Sequence, residues 1–302
     1  MNASRAGRWP ALPLAAWRDT CETLHMWTQV VGKLTLSTTP LANHWWNVTL
    51  HFTSRGLATQ PMNCGDRTLA AAFDFVSHEL LLSASDGATE VIALEPMTVA
   101  DFHAKVMGAL ARLGCPIRIR TTPVEVPDPI PFERDTIHRA YDRAWAGAFW
   151  RALESMRPVL EEFRCGFVGK CSPVHFFWGS FDLAVTRFSG RRAPPRPDAD
   201  PVTREAYSHE VISHGFWPGG GDVDASFYAY AAPEPGGFAK AAVVPPAAYY
   251  SAAFKEFLLP YEAVRSARAP EEALMSFLAS TYEAGARLAG WPREELERGR
   301  DP

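Results

Sequence analysis

Ser208-His209-Glu210-Val211-Ile212 repeats, 131 positions on, the pattern of Ser77-His78-Glu79-Leu80-Leu81. Two more echoes flank it in the same order. Val30-Val31-Gly32-Lys33 returns as Phe167-Val168-Gly169-Lys170, and Ala109-Leu110-Ala111-Arg112-Leu113-Gly114-Cys115-Pro116 returns as Ala284-Gly285-Ala286-Arg287-Leu288-Ala289-Gly290-Trp291-Pro292. Each echo alone is weak, but ordered recurrence argues for a duplicated unit. The expected fold class is therefore α+β: two pseudo-repeated halves, each helix–antiparallel strands–helix, forming one compact unit. The halves run over 1–120 and 138–302, joined by a Pro-rich connector at 121–137. Pockets often form where such halves meet, so a cleft between them is the expected place for a site.

Periodicity outlines the elements. Trp17, Cys21, Leu24, Trp27 and Val31 recur at spacings of three and four, which predicts a helix over 14–31 that Gly32 stops. Lys33–Thr38 then alternates like a strand. Trp46, Val48, Leu50 and Phe52 alternate as one strand face. Phe73–Ser83 and Glu90–Leu94 read as two strands joined by a turn at Ser85-Asp86-Gly87. Thr98 caps a helix over 99–113, and Gly114 ends it. In the second half a helix over 138–164 holds Pro158, which must kink or split it. Strands follow at Ser180–Phe188, Tyr207–Trp217 and Ala225–Ala231, with a mobile Pro/Arg-rich loop at 190–204 and a turn at Pro218-Gly219-Gly220-Gly221. Pro270, Glu271 and Glu272 open a last helix that Gly290 closes.

Composition excludes several classes. A net charge of −4 with scattered Lys and Arg gives no basic footprint, which weighs against nucleic acid as a partner. No apolar run approaches the roughly 18 residues of a membrane span, so no membrane partner is expected. The five cysteines lack zinc-like spacing and read as reduced thiols in a cytoplasmic protein. Gly166–Ser172 lacks the first glycine of a phosphate loop, and Gly179-Ser180-Phe181 lacks the glycines of a nucleophile elbow. No nucleotide, metal or other cofactor is expected.

Two runs are distinctive: Lys170-Cys171-Ser172-Pro173-Val174-His175-Phe176-Phe177-Trp178-Gly179-Ser180-Phe181-Asp182 and onward to Gly190, and Ser208-His209-Glu210-Val211-Ile212-Ser213-His214-Gly215-Phe216-Trp217-Pro218-Gly219-Gly220. With Trp9-Pro10 and Leu24-His25, the chain resembles an uncharacterised bacterial family described only as a domain of unknown function, over nearly its whole length. The resemblance implies no activity and carries no catalytic residues over.

The same runs supply the candidate site. His175, His209 and Glu210 are the candidate catalytic groups, because an imidazole near neutrality exchanges protons readily beside a carboxylate. Phe177, Trp178, Asp182, Arg187, His214 and Trp217 are the candidate ligand-binding residues. A metal would need His175, His214 and Asp182 to converge, since Glu210 and His214 lie about 13 Å apart along a strand. Two readings stand side by side. One is a small-molecule-binding protein that uses its His and Glu groups as an enzyme in an aromatic-lined cleft of the second half. The other is a non-catalytic ligand-binding or protein-interaction module whose histidines are structural, donating buried hydrogen bonds beneath the aromatics.

Overall fold

The structure, a computed structural model, describes residues 7–299. Contacts divide them into two compact units: a first of 15–150 with 175–182, and a second of 7–14, 151–174 and 183–299. Each combines helices with antiparallel sheet, so the fold is α+β. The Pro-rich segment 121–137 lies within the first unit.

The first unit opens with α1 (Leu14–Thr38), whose stripe of Trp17, Cys21, Leu24, Trp27 and Val31 is buried as the periodicity requires. Gly32 does not stop it. The helix continues through Lys33–Thr38, which the sequence reads as strand, and the reason is tertiary. A Cβ on Gly32 would lie 2.3 Å from three ring atoms of Trp178, so this glycine admits an indole against the helix. Thr35, Ser37 and Thr38 return their hydroxyls to carbonyls three or four residues back and so stay within the helix.

Next comes a second correction. Residues Asn43–Val48 form a 3₁₀ segment with His44 and Trp45 at positive φ, and the expected strand is reduced to β1 (His51–Phe52), preceded by an extended Thr49 and a bridge at Leu50. Asn47 explains the bend, accepting from the Ala42 N–H and donating to Thr39 Oγ1. Then follow β2 (Gly56–Ala58), β3 (Met62–Cys64), β4 (Arg67–Asp74), β5 (Glu79–Ala84) and β6 (Thr89–Ala93), in the order β1-β2-β4-β5-β6 with β3 on β4. The expected single strand Phe73–Ser83 is thus two strands. Asp74 breaks it by accepting the N–H groups of Val76 and Ser77, and His78 turns at a φ of 59°.

Helix α2 (Val99–Arg112) begins as expected, with Thr98 Oγ1 accepting the Asp101 N–H. Its other first-turn N–H groups go to carbonyls: Val99 to His138, Ala100 to Asp135 and Phe102 to Thr98. Residues 138–142, expected to be helical, are outside any helix or strand, and the His138 carbonyl meets the start of α2. Helix α3 (Arg143–Cys165) starts only after Asp142, which caps it through the N–H groups of Ala144 and Trp145. It runs on past Pro158. Strand β7 (His175–Phe177) belongs to the first unit and bridges within it at Leu50↔Phe176.

The second unit contains β8 (Asp182–Arg192), a short α4 (Pro201–Ala206), β9 (His209–Gly220), β10 (Val223–Ala232), β11 (Tyr249–Ser251), β12 (Glu256–Pro260), α5 (Tyr261–Arg265), α6 (Pro270–Leu288) and α7 (Arg293–Leu296). Its strands run in the order β11-β12-β10-β9-β8. The expected turn at Pro218–Gly221 is narrower, because strand pairing continues through Gly220↔Val223. Part of the expected loop at 190–204 is the end of β8 and the start of α4.

Two of the three sequence echoes occupy corresponding places. The second leads into β5 and β9, each the middle strand of a three-stranded meander. The third ends α2 and α6 in the same way: Gly114 and Gly290 have φ of 67° and 60°, and the next N–H (Cys115, Trp291) returns to a carbonyl five residues back. The first echo falls inside α1 in one copy and in a loop in the other, so these correspondences do not by themselves establish duplication.

Candidate functional site

The residues singled out in the sequence divide between the units. His175, Phe177, Trp178 and Asp182 belong to the first; Arg187, His209, Glu210, His214 and Trp217 belong to the second. Within the second, strand alternation separates them further. His214 and Arg187 share the face of β8 and β9 that meets Phe163 and α6, while His209 and Trp217 fall on the opposite side.

Arg187 is 4% exposed and caged by aromatic rings, its Cζ 3.5 Å from the centroid of Phe163, 4.3 Å from Tyr282 and 5.0 Å from Phe167. It donates to the Phe163 carbonyl, and burial pushes its guanidinium below its ordinary value. His214 is fully buried, edge-on to Phe163 at 4.8 Å, with Nε2 3.1 Å from Thr281 Oγ1. Burial, and then the charge of Arg187, drive its imidazole well below the ordinary range, so it stays neutral. Glu210 accepts from Ser189 Oγ at 2.8 Å and from Arg191 at 2.9 and 2.7 Å. Arg191 in turn caps the last carbonyls of α6, at Ala289 and Gly290. Each of these three groups is held in a structural hydrogen bond or ring cage.

In the first unit, Trp178 donates Nε1 to the Val48 carbonyl at 2.6 Å and lies against Gly32. His175 is fully buried, with Nδ1 3.1 Å from Thr49 Oγ1. Because Thr49 gives its own hydrogen to the Trp46 carbonyl, the imidazole is the donor of that bond. The same hydroxyl lies 3.5 Å from Nε2 of the half-buried His51. Phe177 meets His175 edge-on, and Asp182 accepts from Ser180 Oγ. Among the described residues no three His, Cys, Asp or Glu side chains converge to hold a metal ion. The Cys171 thiol, four residues before His175, is pushed up to about 11 by burial and is neutral near pH 7.

A separate concavity lies elsewhere in the first unit. An open cleft of about 660 Å³ is lined by Thr20, Pro96, Met97, Thr98, Asp101 and 139–142. Tyr141, 5% exposed, forms part of its wall; its hydroxyl lies 2.7 Å from His78 Nδ1 and its ring stacks on Trp27. Burial raises the Tyr141 hydroxyl and lowers the His78 imidazole, so both are neutral near pH 7. Asp101 and Asp142 are held in their capping bonds. Arg139 is exposed and makes no ion pair among the described residues.

Comparison with known proteins identifies the family of the chain. The chain belongs to DUF5996, a family of unknown function whose model covers residues 9–298. No curated protein and no solved structure matches it. No helix among its described residues is long and apolar enough to cross a membrane.

Sequence reasoning passed over three groups in this DUF5996 chain. Asp135, 1% exposed, accepts from His138 Nδ1 at 2.7 Å and from the N–H groups of Ile137 and His138. The spacing Asp-x-x-His was a legible signal for such a local bond. Lys33 is 2% exposed beneath Phe132, and burial with the nearby Arg120 charge pushes its amine down to about 8. Nothing local marked it, because its burial follows from the continuation of α1. Finally, Cys64 and Cys115 are joined in a disulfide, which corrects the expectation of five reduced thiols; Cys21, Cys165 and Cys171 are free. These two partners stand 51 positions apart, and no spacing rule pairs them.

Proposed function

We propose that this protein binds a small organic ligand, without covalent chemistry, in the cleft walled by Tyr141. The observation that carries this reading is the make-up of the wall. Pro96, Met97 and the Tyr141 ring offer apolar contact, while Arg139 offers a cation that forms no ion pair among the described residues, although Asp101 and Asp142 line the same cleft. A volume of about 660 Å³ is in the range of small-molecule sites. The ligand class that suits this wall is an apolar body bearing a carboxylate or other anionic group. Binding rather than catalysis is favoured because Asp101, Asp142 and Tyr141 are already committed to capping bonds and to His78.

A thermal-shift screen of the full chain against a metabolite library, with and without divalent ions, tests it. A ligand at a hundred times its dissociation constant stabilises the native state by about 2.7 kcal/mol. The stabilisation should vanish in Arg139→Ala and Met97→Ser and survive in Glu210→Ala. A stabiliser indifferent to both cleft variants would refute the assignment.

The second reading is proton transfer by His175, or by His209 with Glu210, each within its own unit. It is favoured by the Thr49 hydroxyl that links buried His175 to half-buried His51. His175→Ala and Glu210→Ala proteins that fold normally and handle the ligand like wild type would dispose of it.

A further inference from the structure

The Cys64–Cys115 disulfide sits in a pocket of its own, about 440 Å³ in volume, that shares no residue with the Tyr141 cleft. The fold builds it from two tight turns. Cys64 ends β3 and pairs with Arg67 at the start of β4 across the Gly65-Asp66 turn, so the two side chains share a face. Cys115 follows Gly114, the left-handed residue that closes α2. A Cβ on Gly114 would come within 3.1 Å of Arg67 Nη2, and its absence lets the guanidinium reach in. That nitrogen donates to the Leu113 carbonyl at 2.8 Å and lies 3.8 Å from Cys115 Sγ. The other terminal nitrogen is paired with Asp86 at 2.6 Å. Both cysteines line the pocket, but they differ in exposure: Cys115 is 1% exposed, whereas Cys64 is only half-buried.

From this asymmetry we propose that the bond is a reversible thiol-exchange site, with Cys64 as the residue that a small monothiol modifies. The thiol loses its proton to water, and the thiolate attacks Cys64 Sγ, the sulfur of the more exposed cysteine. The S–S bond breaks, the new bond makes a mixed disulfide at Cys64, and the electron pair leaves on Cys115 Sγ. Arg67 stands beside that sulfur when it becomes a thiolate, and a stabilised leaving thiolate departs faster. A second thiolate attacks the sulfur of the bound small thiol, releasing Cys64 as a thiolate and the small molecule as its own disulfide. Two electrons pass to the protein pair, and the reverse sequence re-forms the bond. Exchange frees the end of α2 from the β3–β4 turn.

The test uses the full-length protein and reduced glutathione as the monothiol. Reaction is quenched with acid, free thiols are alkylated, and the adduct is mapped by peptide mass spectrometry. The expected intermediate carries glutathione on Cys64 and an alkyl group on Cys115. An adduct on Cys115, or a bond that stays intact while an exposed peptide disulfide in the same tube is reduced, overturns the proposal. Arg67→Gln should slow release of Cys115 several-fold. A merely loosened turn would accelerate it, so an unchanged or faster rate removes Arg67 from the mechanism. Asp86→Asn keeps the guanidinium and removes its counter-charge; release at or above the wild-type rate supports the assignment, and slower release contradicts it.

Discussion

Replacing Gly32 with alanine is the sharpest perturbation of this fold. In an isolated helix the change stabilises, by about 1 kcal/mol, because alanine restricts the unfolded backbone. Here the new Cβ would lie 2.3 Å from three atoms of the Trp178 ring, more than 1 Å inside ordinary contact. The ring cannot step aside freely, being 4% exposed and tied to the Val48 carbonyl at 2.6 Å. Overpacking of this kind costs about 1–3 kcal/mol. Displacing the indole also strains a buried hydrogen bond whose loss costs roughly 1 kcal/mol more. Setting the helical gain against these terms leaves a net destabilisation of about 2 kcal/mol. Urea unfolding followed by tryptophan fluorescence measures it. A double-mutant cycle with Trp178→Leu should recover part of the loss, since the smaller side chain makes room for the methyl. If Gly32→Ala is neutral or stabilising, the helix does not continue past position 32 for the reason given.

Two further outcomes follow from buried polar groups. Burial lowers His25 to about 4 and holds His214 well below its ordinary value, so between pH 6.5 and 4 the folded chain binds fewer protons than the unfolded one. Stability is then full above about pH 6.5 and lost as pH falls towards 4, by roughly 3 kcal/mol for His25 alone; urea midpoints that stay level from pH 7.5 to 4.5 would contradict this. At Arg187, lysine keeps the charge but gives up planar stacking on Phe163 and Tyr282, so Arg187→Lys should cost about 2 kcal/mol and more than Arg187→Met, which fills the cage without a buried charge. A neutral Arg187→Lys in the same urea assay would rule out the ring cage as the stabilising contact.

What was legible in the sequence was whatever the chain decides locally. Thr98 with Asp101, and Gly114 and Gly290, set helix ends through bonds spanning three to five residues, and the structure keeps them. The alternation of β9 and β10 and the stripes of α1 and α6 are likewise local, and they give the α+β class. Gly32 was illegible because its partner, Trp178, stands far along the chain and the stop signal is real for most glycines. The break at Asp74 lay within reach: an Asp whose carboxylate can take the N–H groups two and three residues on is a turn former even between apolar neighbours. At Trp46–Phe52 the alternation was genuine but uninformative, since a 3₁₀ turn with two residues at positive φ can carry the same pattern.

The candidate site was harder to read for a different reason. A buried aromatic and polar cluster has one composition whether it binds a ligand or bonds to itself, and only the partners tell the cases apart. His214 finds Thr281, Trp178 finds Val48, and Glu210 finds Arg191, each across an element boundary that spacing does not reveal. The cleft was hidden by an error of five residues. Starting α3 at 138 instead of Arg143 coils Tyr141 and Arg139 into a helix face, whereas the non-helical segment 138–142 sets both in the cleft wall. Asp142 followed by a helical run was the available N-cap signal, and placing the boundary there would have put Arg139 beside the start of α2. Finding where a helix begins was therefore worth more, for locating a site in this chain, than ranking its histidines.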